Sequence, residues 1–185
     1  TAAFRLENCR VPRQDMLGSP EIDTKQGFGG AMQTFDNTRP LVAAMAVGVA
    51  RASLDETRLR LAGAGVEIDY LTPMLSQHAA AARFLEMEAA YEASRLLTMQ
   101  AAWMADNGKP NSLQASMAKA KAGRVGVQIT LRCVELAGSV GYGEGSLLEK
   151  WARDSKILDI FEGTQQIQQL IVARRLLNKT STELK

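Results

Sequence analysis

TPMLSQHAAAARFLEMEAAYEASRLLTMQAAWMAD, residues 72–106, is the stretch that decides the fold. Beyond Pro73 it has no glycine or proline, and Ala, Leu and Met dominate it. Phe84, Met87 and Tyr91 recur at the three- and four-residue steps that stack side chains on one face of an α-helix. Thr72-Pro73 reads as the cap and first turn, and Asn107-Gly108 with Pro110 as the stop.

The same grammar extends outward. Upstream, a helix is predicted from Phe28 to Ala62, with Leu41, Met45 and Val49 at helical spacing and Pro40 marking a kink or a start. Gly63-Ala64-Gly65 breaks it. Downstream, a third helix is predicted from Ser112 to Ala137, with Val127, Leu131 and Val134 on one side, followed by a loop spaced by Gly138, Gly141, Gly143 and Gly145. A shorter helix, Leu147 to Ile157, leads to the turn Ile160-Phe161-Glu162-Gly163-Thr164, and a last helix, Gln165 to Leu177, places Ile167, Leu170 and Ile171 inward. Residues 1–26 alternate weakly and read as strand ends and loop; residues 179–185 read as a flexible polar tail. The expected fold is all-α: an antiparallel up-down four-helix bundle over residues 27–178, with a short N-terminal β/loop leader.

Composition narrows the function classes. The 185 residues suffice for one domain and one sizeable core, and 46% hydrophobic content argues against disorder. A net charge of +2 leaves no electrostatic footprint for nucleic acid. No apolar run approaches the roughly 20 residues of a membrane span, and Thr1–Asn8 lacks the regions of a signal peptide, so a location outside the secretory route is expected. Cys9 and Cys133 lack metal-ligand spacing and read as reduced thiols. The chain opens without Met inside a β-like stretch, which reads as part of a longer protein.

Few residues announce chemistry. His78, the single histidine, has no partner at ligand spacing and reads as a packed or surface residue. The glycines at 138–145 follow a helix rather than a strand, which excludes a dinucleotide-binding loop. Glu162 lies between the apolar pair Ile160-Phe161 and Gly163-Thr164; apolar flanks remove solvation and suit a carboxylate to proton transfer. By pattern alone the better reading of Glu162 is a first-turn glutamate facing a helix dipole, and that of Arg39 a surface or ion-paired arginine rather than an anion or substrate contact.

Taken in order, these segments resemble the acyl-CoA dehydrogenase family over nearly the whole chain. The matching pieces are F-x-x-x-x-C-R-V-P with Met16-Leu17-Gly18, resembling the end of the family's middle β-domain; Gly27-Phe28, Ala31-Met32 and Phe35-Asp36-Asn37-Thr38-Arg39; Ala118-Lys119; Glu135 to Tyr142; and Arg153-Asp154-Ser155-Lys156-Ile157 running into Ile160 to Gln168. That last motif is the most specific.

The resemblance implies α,β-dehydrogenation of an acyl-CoA thioester with FAD as hydride acceptor. It implies Glu162 as the base, with the backbone N–H of Glu162 and the flavin ribityl chain hydrogen-bonding the thioester carbonyl. Some family members carry the base on a different helix. It further implies that Asp36, Asn37, Thr38, Arg39 and Gly163 contact the substrate and that Thr164, Gln165 and Gln166 contact the flavin. Glu135, Leu136, Ala137, Gly138 and Ser139 match a segment reaching the ADP half of a flavin held by a neighbouring subunit. An electron-transfer flavoprotein as acceptor, a tetrameric homo- or hetero-oligomer, and a cytoplasmic or mitochondrial-matrix setting follow from the same resemblance.

Two positions depart from the family pattern. Ala64-Gly65-Val66-Glu67-Ile68 stands where Arg-x-x-Phe-Gly is usual, and Glu135 where Gln is common. An acidic residue cannot replace a cation against phosphate. The departure suggests a hetero-oligomer in which a related subunit lends the arginine. The rival expectations are a non-catalytic structural subunit of such an oligomer and a helical interaction module without flavin chemistry. These 185 residues by themselves are expected to bind no flavin.

Overall fold

The computed structural model describes residues 2–16 and 24–184. It is all-α, and the described residues contain no strand. The described residues form five α-helices: α1 (Thr24–Gly63), α2 (Ala79–Asp106), α3 (Ser112–Leu136), α4 (Leu148–Ser155) and α5 (Gln165–Leu177). Single 3-10 turns lie at Arg13–Asp15, Met74–Ser76, Gly138–Val140 and Lys156–Asp159. α3 is the centre: α1, α2, α4 and α5 all pack on it. Three helices are long, and α4 and α5 are short pieces laid against α3.

The strand ends expected in the leader do not form within residues 2–16, whose side chains, Phe4, Leu6 and Val11 among them, are exposed. A lone extended segment has no ladder to join and gains nothing from its apolar residues. Met16 is described and exposed, while Leu17 and Gly18 lie outside the described residues. The start of α2 also differs from expectation. Asp69 accepts from the Leu71 N–H at 2.8 Å and the Thr72 hydroxyl at 2.5 Å, and the Gln77 amide donates to the Asp69 and Thr72 carbonyls. These side-chain bonds outcompete helix there, so α2 begins at Ala79, with exposed His78 as its cap. Pro40 starts no helix; α1 runs through it.

Helical periodicity was right in α2, where Phe84, Met87 and Tyr91 are buried with Leu54, Val125, Ile129 and Leu148. Elsewhere it was right only in part: Val134 is buried and Val127 half-buried on α3, but other predicted positions face outward. Leu41, Met45 and Leu131 are exposed, and α1 instead buries Val42, Ala43, Ala46, Ala50 and Leu54. Ile167 is exposed as well, while Gln165 and Gln168 are buried. The reason is steric. A second core cluster of Ala43, Ala46, Ala101, Ala118, Ala122 and Leu158 lets backbones approach closely. A Cβ on Gly123 would lie 3.0 Å from the Leu158 carbonyl, and one on Gly126 3.3 Å from that of Ala46. Small residues therefore face inward where α3 meets α1 and the 156–163 segment, and larger ones face out.

Candidate active site

Glu162 sits in a sharp turn between the 3-10 turn Lys156–Asp159 and α5. Two consecutive residues are left-handed there, Glu162 at φ 60° and Gly163 at φ 94°. Such a conformation costs a non-glycine residue about 1–2 kcal/mol and persists only when its surroundings enforce it. The enforcing contacts are visible. The Gln168 amide donates to the carbonyls of Glu162 (2.9 Å) and Gly163 (3.2 Å), and the Lys119 ammonium donates to the Gly163 carbonyl at 2.7 Å. Thr164 caps α5 by accepting from the Ile167 N–H. With both carbonyls held toward α3 and α5, the Glu162 side chain meets α1, where the Thr38 hydroxyl donates to its carboxylate at 2.8 Å.

α1 delivers the rest of the cluster. Arg39 is 5% exposed, lies 5.7 Å over the Phe35 ring and donates to Asp36 at 2.6 Å. Burial pushes the Arg39 guanidinium below its ordinary value, against the opposing pull of Asp36 and Glu162. Its Nε has no partner among the described residues. The apolar flanks expected around Glu162 are not closed by this chain: Glu162 is half-buried, but Ile160 and Phe161 are 45% and 36% exposed.

Two adjoining cavities open beside Asp36. One, about 520 Å³, is lined by Met32, Asp36, Asn37, Lys109, Asn111 and Arg175, among others. The other, about 240 Å³, is lined by Met32, Asp36, Arg39, Ile171, Arg174, Arg175 and Lys179, among others. Sequence reasoning missed the cations here. Arg174 and Arg175 lie in the last turn of α5, where the helix dipole favours cations in any helix, so their position alone signals no ligand. Within the described residues neither has a carboxylate partner. Arg174 donates to the Leu184 carbonyl and Arg175 to the Ser112 hydroxyl. Lys179–Leu184, expected as part of a flexible tail, thus folds back on α5.

The structure brings Asp36 to Arg39 together with Glu162 and Gly163, and it places Thr164, Gln165 and Gln166 at the adjoining start of α5. It does not bring Glu135 to Ser139 there. Leu136 ends α3 some 17 residues beyond Lys119, or about 25 Å along the helix. Glu135, Gly138 and Ser139 are exposed at that far end, where a Cβ on Gly141 would lie 2.5 Å from the Val134 carbonyl. The two predicted flavin-contacting sets therefore do not line one pocket in a single chain.

No group of three metal-ligating residues exists among the described residues, and no helix there is long and apolar enough to cross a membrane. Cys9 is exposed; burial pushes the Cys133 thiol up to about 11.

The family model for the C-terminal domain of acyl-CoA dehydrogenases matches residues 25–177. The chain belongs to the acyl-CoA dehydrogenase family. It is 35% identical over 177 residues to the rat mitochondrial short-chain specific acyl-CoA dehydrogenase, covering 96% of this chain and 41% of that protein. It superposes with a TM-score of 0.77 on butyryl-CoA dehydrogenase from Megasphaera elsdenii, at 32% identity, over 90% of this chain and 42% of that one. A chain in the structure described as the electron transferring flavoprotein of Acidaminococcus fermentans gives a TM-score of 0.81 at 32% identity, over 94% and 44% of the two chains. This acyl-CoA dehydrogenase segment thus spans about two fifths of the curated relative's length.

Proposed function

We propose that this chain is the C-terminal helical domain of an enzyme that removes two hydrogens from the α and β carbons of an acyl-CoA thioester, with Glu162 as the base. The observation that carries the reading is the Glu162 carboxylate, set in an enforced left-handed turn and held by Thr38 beside the cavities that Arg39, Arg174 and Arg175 line. A Glu162 carboxylate oxygen takes the α-proton. Among the described residues the Glu162 backbone N–H has no acceptor within the chain, so it is available to the thioester carbonyl as negative charge develops there. Asp36 to Arg39 orient the acyl-CoA, and the Arg174 and Arg175 side chains supply positive charge suited to its phosphates.

The residues at the start of α5 fit a flavin. Gln165 is 8% exposed, its Oε1 has no partner among the described residues, and Thr164 caps only one N–H of the helix start. Thr164, Gln165 and Gln166 would hold the ring's polar edge. When bound, FAD supplies the hydride acceptor for the β-carbon. Glu135 to Ser139, at the far end of α3, would serve a different flavin, the one on a neighbouring subunit. An electron-transfer flavoprotein is the proposed acceptor and the cytoplasm or mitochondrial matrix the proposed setting.

The second reading is a half-site or non-catalytic subunit of a hetero-oligomer. The observation favouring it is the Ala64–Ile68 segment. Val66 and Ile68 pack on the core and Glu67 is exposed, so the segment offers no cation of its own. The test is Glu162→Gln in the full-length, flavin-loaded protein, alone and with a partner subunit. A fall in turnover of about 10²-fold or more supports the base; unchanged turnover places the chemistry elsewhere.

A further inference from the structure

Lys119 is 1% exposed, and lysine is rarely buried so completely without a carboxylate partner. Among the described residues it has none within ion-pair distance. Its hydrogen bond goes to a backbone carbonyl, that of Gly163, 44 residues away in sequence. The charged groups around it are Asp159 on the 3-10 turn, Glu162 on the following turn, and Arg39 on α1. Burial pushes its ammonium below the ordinary lysine value, so the site holds this residue at a cost. Ala115, Ala118, Ala122 and Gly123 surround it on the inward face of α3, where a small or apolar residue would pack without that cost.

The return for that cost is the turn. Gly163 O accepts from both Lys119 and Gln168, which occupies both of its lone pairs. The Glu162 carbonyl is held by Gln168 as well. These contacts anchor the two left-handed residues through their carbonyls, while the Glu162 carboxylate meets the Thr38 hydroxyl on α1. We propose that Lys119 is a positioning residue for the dehydrogenation, its buried ammonium fixing the Gly163 carbonyl so that Glu162 is aimed at the α-carbon. The inference rests on the reading of Glu162 as the base.

The test uses the full-length, flavin-loaded protein with Lys119→Met, Lys119→Arg and Glu162→Gln. Lys119→Met is expected to lower kcat about 10- to 100-fold, the scale of a misplacement near 1 Å. KM and flavin content are expected to stay near the parent values. Lys119→Arg, which keeps a cationic N–H donor for the Gly163 carbonyl, is expected to recover kcat. A purely structural lysine would change the melting temperature and leave kcat per flavin alone, and that result overturns the proposal. If Lys119→Met does not fold, Lys119→Gln, polar but one bond shorter, decides by the same split between kcat and KM. Full turnover in Glu162→Gln would sink the base assignment itself; loss there beside parent-like Lys119→Met would sink only the role of Lys119.

Discussion

The Asn111 side chain donates to the backbone carbonyl of Asp36 at 3.2 Å, across 75 residues of sequence. Pro40, four residues after Asp36, has no N–H and cannot make the helical bond that this carbonyl would otherwise accept. Asn111, buried at the α2–α3 connection, fills the vacancy and also donates to the Ala101 carbonyl. The proline thus leaves an acceptor inside α1, one turn from Thr38 and Arg39, and the rest of the fold uses it to tie the site to α3.

Asn111→Leu removes both bonds and leaves the Asp36 carbonyl, which Pro40 cannot serve, without a donor. Destabilisation of about 1–3 kcal/mol is expected, together with a rise in KM for acyl-CoA as Asp36 to Arg39 loosen. Denaturant unfolding and steady-state kinetics check the two effects; an unchanged midpoint would show that the tie carries no stability.

Gly163→Ala puts a side chain on a residue at φ 94° and directs its Cβ into the Gln168 amide that holds the turn. The turn must then open. Turnover is expected to fall by about 10²-fold or more, while far-ultraviolet circular dichroism stays close to that of the parent. Near-parent turnover would mean that the turn tolerates relaxation.

Thr38→Val deletes the hydroxyl 2.8 Å from the Glu162 carboxylate without changing side-chain shape. A hydrogen bond to a charged group is worth about 1.5–3 kcal/mol, and kcat is expected to drop about tenfold or more as the carboxylate loses its fixed orientation. The measurement is kcat with saturating acyl-CoA.

Burial lowers the Lys119 ammonium from its ordinary 10.5 in the folded protein. Between that lowered value and 10.5 the unfolded chain therefore binds more protons, and stability attributable to Lys119 rises with pH across the window. Unfolding free energies of parent and Lys119→Met, compared from pH 8 upward, are expected to diverge in favour of the parent. Parallel curves would contradict the shift.

Ala64 is exposed at the end of α1, so Ala64→Arg is accommodated without repacking. If a partner subunit lends the missing cation, the full-length protein alone binds little flavin, and Ala64→Arg raises the flavin-to-subunit ratio. One flavin per subunit in the unaltered protein, purified alone, would refute the shared-site reading.

The sequence by itself determined how many long helices there are and roughly where they lie, the start of α2 excepted, because periodicity, caps and breakers act within a few residues. It also determined the buried face of α2, whose large apolar side chains have only one stripe to share, and the turn carrying Glu162. Only the tertiary structure decided which stripe of α1, α3 and α5 is buried. Helical spacing relates residues on one helix to each other but does not say which stripe meets a neighbour. Close approach selected the small residues Ala43, Ala46, Ala118 and Ala122, and turned Leu41, Met45 and Leu131 outward. The pairings of Thr38 with Glu162, Asn111 with Asp36, and Lys119 with Gly163 belong to the same level. One clue to Lys119 was present, its place on the alanine stripe of α3, but a hydrogen bond spanning 44 residues exists only once α3 and the Glu162 turn have packed together.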